Sequence, residues 1–140
     1  MRKLFSTRVS ENALSFALFI FRLGIGGLMI ANHGWDKISH FGQKASRFKY
    51  DILGLGSTTS FSMLVFAEFF CAAFIILGLF TRLAAIPLII AMSVAFISAH
   101  KMKYAGGPGG GETALMFLIC FIVILITGAG KFSLDKLIGK

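Results

Sequence analysis

Charged residues are scarce in this chain. They make up 14% of its 140 residues, where an average soluble domain carries about 25%, so an ordinary water-soluble fold is excluded. Cysteine occurs only twice, as Cys71 and Cys120, each alone inside an apolar stretch. Without a CxxC pair or iron–sulfur spacing, the sequence offers neither a dithiol redox motif nor a zinc–thiolate site. The period-two alternation of membrane strands is also missing, which argues against a barrel. One glycine-rich run, AGGPGGG from Ala105 to Gly111, follows no strand and precedes no GK[ST]. It reads as a turn, and no phosphate-binding loop or dinucleotide fingerprint is left to find.

What remains is strongly apolar: 56% of residues are hydrophobic and the mean hydropathy is +0.83. Four stretches, at about 14–34, 61–80, 83–100 and 113–130, are each long enough at 1.5 Å per residue to cross a hydrocarbon core about 30 Å thick. Open sheet edges cannot exist in lipid. The predicted fold is therefore all-α, an integral membrane four-helix bundle forming a single domain over residues 1–140.

The formal charge of +8 sits mainly at the ends of apolar segments, where basic side chains anchor to phosphate head groups. That placement excludes nucleic acid as a partner and makes the bilayer the expected one. MRKLFSTR followed by an apolar run resembles a signal peptide, yet the run is long, contains Arg22 and lacks a small-residue cleavage site. It is expected to stay as the first span. The connection from Trp35 to Ser60 mixes basic and aromatic residues, so it is expected to lie on the membrane surface or fold back over the bundle. Between the second and third spans the link is so short that the two must be antiparallel neighbours. Four spans put both termini on one side, with seven lysines and arginines there against six opposite. The basic tail before the first span places the termini in the cytoplasm.

Two charges sit deep in this apolar background, Arg22 and Glu68. A charge inside a span is expensive and marks a paired or functional site. At 100° per residue, Arg22 and His33 fall about 20° apart on the first helix, with Gly26 and Met29 near the same line. Gly27 and Ala31 supply a small-xxx-small spacing for close helix contact. Arg22 lies roughly 12 Å in from the terminal side and Glu68 roughly 20 Å on the same scale, so an Arg22–Glu68 ion pair is expected. Such a pair either fixes helix register or serves chemistry.

A second polar set follows from topology. His33 ends the first span, His100 ends the third and Glu112 opens the fourth, so all three share one membrane surface, with Lys37, His40, Lys101 and Lys103 nearby in sequence. Imidazoles and a carboxylate at a bundle mouth can relay protons, hold a quinone head group by its carbonyl oxygens, or ligate a metal. They can equally be interfacial histidines beside a glutamate favoured by a helix dipole. A haem between His33 and His100 is disfavoured because both residues are too superficial. Zinc at His33, His100 and Glu112 matches no known ligand spacing.

Four pieces of sequence, in order, resemble the DoxX family of small four-helix membrane proteins. They are RLGIGGLMIANHGWDK from Arg22, AEFFCAAFIILGLFTRLAAI from Ala67, Glu112 at the start of the last span, and GAGKFSLDKL from Gly128. The long first connection and the AGGPGGG turn depart from the family pattern. The resemblance implies a multi-pass protein of the cytoplasmic membrane, with polar positions at Arg22, His33, Lys37, Glu68 and Glu112. Some family members are subunits linked to thiosulfate:quinone oxidoreduction, and others are associated with oxidative or quinone stress. The expected function is a membrane subunit of a quinone-linked redox system, with Arg22, His33, Lys37, Glu68, His100 and Glu112 as ligand pocket or proton relay. A quinone, a soluble or membrane redox partner and a homo-oligomer are the associations this implies. The competing expectation is a non-enzymatic membrane scaffold or a binder of a small lipophilic molecule.

Overall fold

A computed structural model describes residues 9–51, 54–99, 101 and 111–139. Among them there is no strand, and three helices are long and apolar enough to cross a membrane. These are α1 (Glu11–Ser39), α3 (Ser57–Leu77) and α4 (Thr81–Ser98). A shorter apolar helix, α5 (Gly111–Thr127), completes the bundle; its 17 residues span about 25 Å, the lower limit for a crossing. Two short helices lie outside the spans, α2 (Phe41–Arg47) and α6 (Leu134–Leu137).

Ser10 caps α1 by accepting a hydrogen bond from the Ala13 N–H, so the first helix starts earlier than the apolar run suggests. It also continues to Ser39, past Gly34, through a π-helical turn at Ile30–Gly34. A further π turn interrupts α3 at Phe66–Cys71, and another at Ala95–Ala99 overlaps the end of α4 and runs one residue past it. Isolated π turns of this kind are frequent at functional sites.

The core runs along the bundle axis and includes Met29, Ala72, Ile75, Leu88, Phe121 and Ile124, all fully buried. Large apolar side chains such as Leu23, Phe66, Ile90 and Ile119 point outward, as lipid-facing residues do when solvent and core are equally apolar. Close helix approach depends on Gly26, where a Cβ would come within 2.6 Å of Ile76, and on Gly34, where it would lie 2.8 Å from the Glu68 carbonyl oxygen. The expectation for Gly27 is corrected, since nothing lies within 4 Å of its would-be Cβ.

After α1 the chain folds back. Ala45 of α2 is buried against Phe61 and Val65 of α3, and the Phe41 and Phe48 rings each lie tilted against Phe61 with centroids 5.3 Å apart. Asp51 then accepts the N–H groups of Leu55 and Gly56, ahead of α3. At the other end α3 closes in a Schellman motif: Gly78 has φ +67°, and the Leu79 N–H reaches the Phe74 carbonyl at 2.9 Å. The tight link makes α3 and α4 antiparallel, as expected.

Candidate functional site at the bundle mouth

The buried charges are not partners of each other. Glu68, 1% exposed, is ion-paired with Lys37, whose side chain is 21% exposed. Arg22, fully buried, donates through Nη1 to the Ile75 and Ile76 carbonyls at 3.1 and 3.4 Å, and through Nη2 to the Phe132 carbonyl. The expected Arg22–Glu68 pair is thus corrected. The reason lies in side-chain direction, because helical side chains lean toward the N-terminus of their own helix. Arg22 therefore leans toward the terminal end of the bundle, while Lys37 leans inward from the mouth. Glu68, on an antiparallel helix, leans outward to meet it. Ile75 lies seven residues, or about 10 Å, beyond Glu68 along α3.

The π turn in α1 decides which residues meet at the mouth. One inserted residue turns the helix register by about 100°, so Gly34 takes the angular place that ideal arithmetic gives His33. Gly34 consequently packs on the Glu68 backbone, and Lys37, three residues on, reaches the Glu68 side chain. His33 is rotated toward α5, where its half-buried ring meets Phe117 edge-on at 5.5 Å. It still lies close enough to Glu68 and Lys37 for both charges to act on the ring. Trp35 and Phe69 approach to 6.4 Å beside this group.

His33, Lys37 and Glu68 are therefore brought together, and Arg22 is not with them. Glu112 is exposed in the first turn of α5, where the helix dipole favours a carboxylate. His100 and Lys103 lie outside the described residues. Chemically, the cluster offers a hydrogen-bond-donating ammonium and an imidazole beside a buried carboxylate, bounded by aromatic rings.

A set missed in the sequence lies at the opposite end, around Arg22. Asp135 accepts the N–H groups of Phe80 and Thr81 at 2.7 and 2.9 Å and so caps α4, while its own N–H donates to the Gly78 carbonyl. It is also the counter-charge that acts on Arg22. A Cβ on Gly78 would overlap Arg22 Nη1 and approach Ser133. The sequence signals were the buried Arg22 and the GAGKFSLDKL piece, within which the Ser133 hydroxyl accepts the Lys136 N–H as an N-cap.

The DoxX family profile matches residues 17–101. An uncharacterized membrane protein of Mycobacterium tuberculosis is 31% identical over 128 residues, covering 81% of this chain and 77% of its own length. Two uncharacterized proteins of Haemophilus influenzae are 28% and 32% identical, covering 76% and 71% of this chain and 71% and 79% of their own lengths. No solved structure matches significantly.

Proposed function

The chain belongs to the DoxX family, and from that premise we propose that it is a membrane subunit of a quinone-linked redox system, holding a quinone head group at the mouth near His33, Lys37 and Glu68. The observation that supports this reading is the Lys37–Glu68 ion pair, sunk beside His33 where two π turns meet. A buried ion pair is weak evidence for stability, and a structural bundle has no need of an imidazole next to it.

In this reading the Lys37 ammonium and a His33 ring N–H donate to the quinone carbonyl oxygens. Glu68 holds Lys37 in place through the ion pair. Two-electron reduction of a quinone also takes up two protons, which in this reading pass through Lys37 and His33. The sequence carries no electron-carrier motif, so the electrons come from a redox partner. Glu112, exposed in the first turn of α5, is proposed as a further proton-relay residue. With the termini in the cytoplasm, the mouth opens on the outer side of the cytoplasmic membrane.

The test is to purify the protein in mild detergent, extract it, and identify bound lipophilic molecules by mass spectrometry. Quinone should copurify, and Lys37→Met or Glu68→Gln should lower its affinity about 10- to 100-fold, as loss of a charged hydrogen bond worth about 1.5–3 kcal/mol requires. A protein that neither carries nor binds added quinone, yet captures one specific protein partner, would establish the scaffold alternative.

A further inference from the structure

A cleft about 570 Å³ in volume opens at the terminal end of the bundle, away from the mouth. It is lined by residues 80–83, by 127–130 at the end of α5, and by Ser133 and Asp135 of the tail. We propose that this cleft binds an anionic phospholipid through its head-group phosphate.

The argument starts from Arg82. Its Nη2 donates to the Ile126 carbonyl at 3.2 Å, which fixes the guanidinium across Gly128, with Nε 3.3 Å from where a Cβ would be. The side chain is exposed, and a guanidinium held by one nitrogen presents its remaining donors in a fork suited to phosphate. Thr81 also lines the cleft; it is 1% exposed, and its hydroxyl has no hydrogen-bond partner among the described residues. Such a group is satisfied by a polar ligand or by water. Asp135 contributes a negative charge, but both of its oxygens are engaged by backbone N–H groups at the start of α4.

The walls favour a lipid over a free anion. Leu83 borders the cleft and is 66% exposed, and Ile86 and Ile90 continue the same strip of α4 down the lipid-facing surface. A phosphate seated on Arg82 would have its acyl chains lying along that strip. The cleft stands at a helix end, the depth at which head groups lie.

Native mass spectrometry of the full-length protein with added phosphatidylglycerol or phosphatidylcholine tests this. The anionic lipid should be retained roughly fivefold more strongly, the preference that about 1 kcal/mol per basic residue gives, and Arg82→Gln should abolish the preference. Equal retention of both lipids, or an undiminished preference in the variant, would overturn the proposal. Displacement by glycerol phosphate at equal concentration would show a free-phosphate site instead. Because Arg82 also holds the end of α5, a photoactivatable phosphatidylglycerol should be mapped on the unmodified protein as well. Labels on residues 80–83 and 127–130 support the site; labels confined to the mouth refute it.

Discussion

Lys37 and Glu68 form a pair with unequal partners, and that inequality makes a prediction at the residue scale. Replacing Lys37 with Met leaves a buried carboxylate without its counter-charge, which is expected to destabilise the protein by about 3 kcal/mol. Replacing Glu68 with Leu leaves a lysine that can turn its ammonium toward water, so the loss should be smaller. The double substitution should lose less than the two singles combined. Reversible unfolding in mixed detergent micelles measures all three, and strict additivity would show that the residues are uncoupled. Arg22→Leu and Glu68→Leu, by contrast, should add to within about 0.5 kcal/mol, since these side chains share no partner. At Gly78, alanine meets both a positive φ and the Arg22 guanidinium. A loss of about 1–3 kcal/mol is expected on the same assay, and a neutral Gly78→Ala would mean that Arg22 is held elsewhere.

At the scale of the element, the π turn of α1 is the device that builds the mouth. Deleting Ala31 should restore plain α-helical register and rotate everything beyond it by about 100°. Helical content by circular dichroism should stay nearly constant, while the Lys37–Glu68 coupling energy falls close to zero. Persistence of that coupling would show that the helix absorbs the deletion elsewhere. Such a turn is invisible in composition or periodicity, because one extra residue in an apolar helix leaves the hydrophobic pattern almost unchanged. His33 illustrates the consequence: ideal arithmetic puts it on the Arg22 face, and the inserted residue turns it toward Phe117.

For the whole molecule, the tail ties the bundle shut at the end opposite the mouth. Phe132 accepts from Arg22, Asp135 caps α4, and Phe16 meets Phe132 edge-on. Truncation after residue 130 should therefore cost about 3 kcal/mol or more, from the lost cap and the stranded guanidinium. Adding Arg22→Leu to the truncated chain should recover part of that loss; an equal or larger deficit in the combined variant would contradict the tail's role. The sequence by itself determined the all-α membrane class, the antiparallel α3–α4 link and the rarity of the charges at Arg22 and Glu68, and it left the connection after α1 either on the membrane surface or folded back. All of these rest on local composition, segment length and the cost of polar groups in lipid, which neighbours cannot reverse. Only the tertiary structure decided the partners: Lys37 for Glu68, and the Ile75, Ile76 and Phe132 carbonyls for Arg22. Partner choice depends on the direction in which side chains leave antiparallel helices, on a one-residue change of register, and on where residues more than a hundred positions apart come to rest.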